Sequence, residues 1–116
     1  MKVVRLEEVE KVPVEANGAE HVLKQMPISS ADGAPNFSFR VFTVGVGGQT
    51  PYHSHEAEHV NYVIAGAGVL VNEKGEETPI EKGQFALVLP HEKHCYRNVS
   101  DTEDLVLLCA VPIQWE

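Results

Sequence analysis

Pro51–Gly66 reads P-Y-H-S-H-E-A-E-H-V-N-Y-V-I-A-G, with three histidines inside seven residues followed at once by an apolar, partly β-branched run. His53 and His55 are two apart, and in an extended strand such residues share a face, with a rise of about 3.3 Å per residue. His59 has the same parity. A metal about 2.1 Å from each ring nitrogen is within reach of all three if the segment stays extended or bends once. His94, much later in the chain, is a fourth candidate.

His55-Glu56-Ala57-Glu58-His59 also spells H-E-x-x-H, the zinc-protease pattern, which places its two histidines on one face of a helix. The surroundings oppose a helix. Pro51 lies just upstream, the residues after His59 lack amphipathic spacing, and Gly66 and Gly68 soon end the segment. The plain alternative is three surface or structural histidines with no metal. Glu56 and Glu58 have the opposite parity and point away from the histidines in extended chain.

With 116 residues, the chain fits one domain with a single closed core. Composition is that of an ordinary globular protein, 43% hydrophobic and 22% charged. A net charge of −8 repels nucleic acid and anionic membrane surfaces, so neither is expected as a partner. Cys95 and Cys109 form no C-x-x-C pair, which suits a reducing compartment. With no signal-like or long apolar run, the expected location is cytoplasmic.

The chain otherwise reads as short strands separated by turns. Pro13 argues against a helix near the start, Asn17-Gly18 is a turn, and His21 to Ile28 reads as a strand with Met26-Pro27 marking an edge. Ser29 to Asn36 is loop chemistry, and Phe37 to Val46 is strongly β-prone. Within that run Arg40 is expected to face outward or an interface, the alternative being a polar pocket. Gly47-Gly48 breaks the pattern. Val60 to Ala65 and Val69 to Asn72 flank Gly66-Ala67-Gly68, and Glu73 to Glu76 is a hairpin-type turn. Thr78 to Ile80, Gln84 to Leu89, His94 to Val99 and Leu105 to Val111 complete about nine or ten strands, predicting an all-β sandwich or barrel.

Two segments resemble the cupin motifs. Gly47, five residues, His53-Ser54-His55, three residues, His59, six residues and Gly66 match the first motif, with histidine in place of the usual glutamate. Gly83 to Asn98 resembles the second, with His94 and Asn98 on its histidine and asparagine and with Leu89 and His91 replacing the usual proline and glycine. The resemblance implies a double-stranded β-helix of the jelly-roll class. It implies one domain over residues 1–116, with N-terminal strands in 1–30 and a metal-binding barrel in 34–112. The runs from Ala34 to Val44 and from Leu107 to Pro112 add similarity to small cupins whose metal is held by four histidines.

By that resemblance His53, His55, His59 and His94 are the expected ligands of one divalent ion, manganese or iron, although imidazole also suits nickel, copper or zinc. Four neutral imidazoles leave the full metal charge in place, so an anionic small molecule is favoured at the open positions and oxalate-type decarboxylation is less secure. The expected function is a metal-dependent, oxygenase-like oxidoreductase acting on a small organic substrate. A non-catalytic small-molecule or metal-binding protein is the alternative.

Cys109 is read either as a cavity residue near the metal or as a small buried hydrophobe. Cys95 should face the other side from His94. Phe42, Tyr62, Phe85 and Tyr96 are core aromatics that double as pocket candidates, Trp115 is a lid or a dimer contact, and His21 and His91 are exposed. Small cupins commonly pair, and residues 1–28 offer edge strands broken by Pro13 and Pro27; a homodimer through the barrel face or the N-terminal strand is therefore expected.

Overall fold

The computed structural model describes residues 1–116. It is all-β with three short 3₁₀ turns, at Leu6–Glu8, Ser30–Asp32 and Ile113–Trp115. Nine strands form one curled sheet: β1 Val12–Pro13, β2 Glu20–Ile28, β3 Phe37–Gln49, β4 His59–Ala65, β5 Ala67–Val71, β6 Glu77–Glu81, β7 Phe85–Val88, β8 Cys95–Asn98 and β9 Leu105–Pro112. Hydrogen bonding runs in the order β6-β5-β8-β3-β9-β4-β7, with β2 on the other side of β3 and β1 beyond it. No helix is long and apolar enough to cross a membrane.

Period-2 patterning produces this arrangement. On β9, Leu105, Leu107, Cys109 and Val111 are all buried and alternate with less buried Val106, Leu108 and Ala110. Their inner face joins Val44 of β3, Val63 of β4, Ile80 of β6 and Tyr96 of β8 in the main core. A smaller cluster of Val69, Val71 and Cys95 packs against Tyr52, on the opposite side of β8 from the side that carries Tyr96 inward.

Gly47-Gly48 does not end β3 as its glycines suggested. The strand runs on to Gln49, while its pairing with β2 jumps from Val22↔Val44 to Glu20↔Gln49. Residues 45–48 form a bulge at which the sheet turns a corner; a Cβ on Gly48 would lie 2.5 Å from the Glu20 carbonyl oxygen. The β-strand expected at His94 to Val99 is shorter, and that at Val69 to Asn72 begins earlier, at Ala67. Pro13 sits on the short edge strand β1, where its missing N–H is tolerated.

Gly66 makes the second corner. β4 pairs with β7 and β9, whereas β5 pairs with β6 and β8, so the chain leaves one set of neighbours for another within a residue. Asn98 ties this region together from inside: its Nδ2 donates to Val44 O at 2.9 Å and to Glu103 O at 2.8 Å, and its Oδ1 accepts from Ser100 N. The asparagine of the second motif is thus a structural pin between β8, β3 and the turn into β9.

The outward face of β3, β9, β4 and β7 is apolar. Phe39, Ala110, Val60 and Leu87 stand opposite one another across four strands. Beside them Tyr62 packs on Phe85, ring centroids 4.7 Å apart. Phe85 is 77% exposed and Leu87 57%.

Gly66 and Gly75 separate backbone strain from steric conflict. Both have φ near +80°, but a Cβ on Gly66 would meet Asp104 O at 2.1 Å, whereas one on Gly75 meets nothing within 4 Å. Gly75→Ala should cost about 1 kcal/mol and Gly66→Ala about 3 kcal/mol or more, read from chemical denaturation midpoints. Equal losses would mean that the corner has room to move.

Candidate metal centre

The two motif segments are zipped together by main-chain hydrogen bonds. His53 N donates to His94 O at 3.2 Å and His94 N to His53 O at 3.0 Å, an isolated antiparallel bridge. On one side of it Thr50 N donates to Tyr96 O and Tyr96 N to Thr50 Oγ1; on the other, His91 N donates to His55 O at 2.8 Å. Residues 55–59 cross a bend rather than a helix, which removes the protease reading. Glu56 and Glu58 are exposed, as their parity required.

His55, His59 and His94 converge. Their ligand nitrogens all lie within 4.8 Å of one another. His55 and His59 stack with ring centroids 3.7 Å apart, and His94 stands edge-on to His55 at 5.0 Å. His53 stands at the exposed rim, with centroids 5.1 Å from His55 and 6.0 Å from His94. The structure therefore brings three of the four expected ligands into one group and leaves His53 beside it. His21 and His91 are exposed and stand outside the group, although the His91 main chain borders His55, and both take positive φ.

Ring orientation is set by the backbone. His53 Nδ1 donates to Pro51 O at 2.9 Å, His55 Nδ1 to Ala57 O at 3.0 Å and His94 Nδ1 to Glu92 O at 2.8 Å. A carbonyl can only accept, so these three rings carry a proton on Nδ1, and His55 and His94, which burial keeps neutral, present the Nε2 lone pair. His55 Nε2 is buried with no partner. An orphaned acceptor among converging imidazoles fits a metal ion, and the carbonyl contacts are the outer-shell support such ligands use. Burial pushes the His55 and His94 imidazoles below their ordinary range, and burial with His55 and Arg40 nearby takes His59 down to about 3. All three are neutral at pH 7, the state that ligation needs.

The cluster opens into a cavity of about 290 Å³. Phe42, Tyr96 and Cys109 line it, and so does Trp115, carried by the 3₁₀ turn whose Ile113 N donates to Asn36 O. Tyr62 and Phe85 do not line it. Asn61 and His59 take the inward parity of β4, so Tyr62 points out, and Phe85 is its cross-strand partner on that outer face. Cys109 Sγ lies 3.5 Å from His59 Nδ1. Cys95 faces away from the cavity but is buried in its own small cluster.

The reading of Arg40 as outward-facing is corrected. Arg40 is 8% exposed and lines the cavity, its Nη2 donating to Cys109 Sγ at 3.0 Å. It shares parity with Ser38, Phe42 and Val44, all of the inner face, and that parity was the available signal. Asn61, two residues after His59 on β4, was also missed; its Oδ1 accepts from Tyr96 OH at 2.8 Å. Arg40, Cys109 and Asn61 stand directly opposite one another on β3, β9 and β4.

Residues 40–111 match the family described as Cupin domain. The polyketide cyclase RemF from Streptomyces resistomycificus has the same fold, with a TM-score of 0.91 and 29% identity over 97% of this chain and 80% of that one. L-ectoine synthase from Mycobacterium sp. (strain KMS) is 32% identical over 80 residues, 68% of this chain and 60% of that protein. Ectoine synthase from P. lautus shares the fold at a TM-score of 0.75 and 24% identity, over 97% of this chain and 78% of that one. The chain spans 50% to 60% of the length of the curated relatives it matches.

The depressed imidazoles give the protein a defined acid response. Unfolded histidines titrate near 6.5, so below that pH the unfolded chain binds more protons than the folded one. Stability is then fully present above about 6.5 and declines as pH falls toward the folded value, about 3 for His59. In chelator-treated protein, urea midpoints should drop between pH 7 and pH 4, and His59→Gln should flatten that slope. An unchanged slope in the variant would show that His59 is not held neutral by its surroundings.

Proposed function

Because this chain belongs to the cupin domain family, we propose that it is a metal-dependent enzyme acting on a small organic molecule, with His55, His59, His94 and, from the rim, His53 as ligands. The observation that carries this reading is the convergence of the imidazoles of His55, His59 and His94, with the orphaned His55 Nε2 among them, at the wall of a small cavity. His53 has the same Nδ1-to-carbonyl orientation as His55 and His94, which supports its inclusion. All-imidazole ligation suits iron, nickel, copper or zinc better than magnesium or calcium; the family resemblance alone speaks for manganese or iron.

A bound divalent ion supplies Lewis acidity toward a carbonyl or enol oxygen. The chain supplies the rest. Tyr96 OH and Asn61 form a fixed polar pair on the cavity wall, and Asn61 Nδ2 also reaches Leu108 O at 3.4 Å. Burial raises the Tyr96 phenol well above its ordinary range, so it stays protonated, with its single O–H directed at Asn61 Oδ1 and its oxygen left to accept. Phe42, Leu107 and Trp115 provide apolar walls that limit water around a bound substrate. The relatives are named as a cyclase and a synthase, which favours non-oxidative ring closure or condensation over the oxygenase chemistry expected from the sequence.

The test begins with metal analysis of protein purified without added metal. Alanine at His55, His59 or His94 should abolish retention, alanine at His53 should weaken it, and alanine at His21 or His91 should leave it intact. Metal a thousandfold above its Kd should stabilise the fold by about 4 kcal/mol. Metal-loaded protein should consume a linear triketone without taking up oxygen; stoichiometric oxygen uptake would move the assignment to an oxygenase, and saturable binding without turnover to a binding protein.

We further propose a two-fold dimer through the outer face of β3, β9, β4 and β7. Exposed Phe39, Val60, Leu87 and Phe85 form a contiguous apolar surface of the kind that marks interaction sites. Light scattering at micromolar concentration should give about twice the 12.8 kDa chain mass, and Phe85→Glu should halve it. A wild-type mass of one chain would sink the dimer.

A further inference from the structure

The cavity contains a cation with no counter-ion. Arg40 is more than nine-tenths buried, and the residues around the cavity include no aspartate or glutamate. The ion pairs of the protein are elsewhere, at Lys2–Asp32 and Arg97–Glu77. Arg40 Nε is buried without any acceptor, Nη2 has only the Cys109 thiol, and the guanidinium carbon lies 5.1 Å from the centroid of the Phe42 ring. A guanidinium stays charged at any physiological pH. A thiol is a weak acceptor and an aromatic face a modest one, so a buried arginine with only these is left undercompensated.

We propose that the missing counter-ion is a substrate carboxylate. Arg40 binds the carboxylate of a small oxo- or hydroxy-acid, and the substrate's second oxygen faces the histidine cluster. The spacing follows from the cross-strand row: Cys109 Sγ touches Arg40 Nη2 at 3.0 Å and lies 3.5 Å from His59 Nδ1, so the cation and the cluster are separated by a single thiol. Two oxygen functions a few bonds apart span that gap. The cavity, about 290 Å³, sits at the small end of ligand sites. The chain's net charge of −8 does not oppose this. Surface charges are screened within about 8 Å at physiological salt, whereas a desolvated guanidinium acts at full strength on what enters.

The orientation of the second oxygen rests on the metal reading above; the carboxylate contact does not. Calorimetry should compare acetoacetate with its uncharged counterpart acetoacetamide, on zinc-loaded and on chelator-treated protein. Wild type should prefer acetoacetate by about tenfold or more, and Arg40→Met should erase that preference by weakening acetoacetate far more than acetoacetamide. Should Arg40→Met lack a cooperative melt, Arg40→Gln carries the same comparison with a neutral polar side chain. A preference for acetoacetate that depends on Arg40 but is indifferent to zinc would uphold the carboxylate site and count against the metal reading. No preference in wild type, or the same preference in wild type and variant, would overturn the assignment of Arg40.

Discussion

The reciprocal pair of hydrogen bonds between His53 and His94 is the constraint on which the rest of the site depends. It joins a segment outside any regular strand to the residue just before β8, forty-one residues later, and it fixes which way each flanking side chain turns. Thr50 with Tyr96 and His55 with His91 extend the same seam in both directions. With the backbone held, carbonyls two residues away orient the His53, His55 and His94 imidazoles. The bend between His55 and His59 then lets the second ring stack on the first instead of following the strand.

Two electrostatic effects meet in the cavity. Desolvation keeps His55, His59 and His94 neutral, because an imidazole can shed its proton when burial makes charge expensive. Arg40 has no such escape, since a guanidinium retains its charge. The same low-dielectric wall therefore yields lone pairs at one end and an undischarged cation at the other. Its own carboxylates lie outside, and Lys24, whose ammonium burial and Arg40 together hold below its ordinary range, reports the positive field behind β3.

Aromatic residues divide by parity. Phe42 and Tyr96 point inward and shape the cavity, while Tyr62 and Phe85 point outward and pack on each other. The sheet thus uses similar side chains for a cavity wall on one face and an apolar outer surface on the other. Gly48 and Gly66 allow the long strands to turn corners between these neighbourhoods, because no Cβ fits against the backbone that crosses them.

The sequence by itself determined the all-β class, most strand positions, the exposure of Glu56 and Glu58 and the histidines that cluster. These follow from short-range rules: period-2 alternation, turn chemistry and motif spacing act over a few residues and can be read along the chain. The cupin motifs added the meeting of His94 with His55 and His59, which no local pattern states. Only the tertiary structure decided that β3 continues past Gly47-Gly48, because pairing with β2 and β8 outweighs local glycine propensity. It also decided that Arg40 is buried facing the cavity and that His53 stands at the rim. Whether a charged side chain turns in or out depends on what lies opposite, and Cys109, sixty-nine residues away, is what Arg40 meets. Parity named the face of each residue; the curl of the sheet determined which face became the cavity.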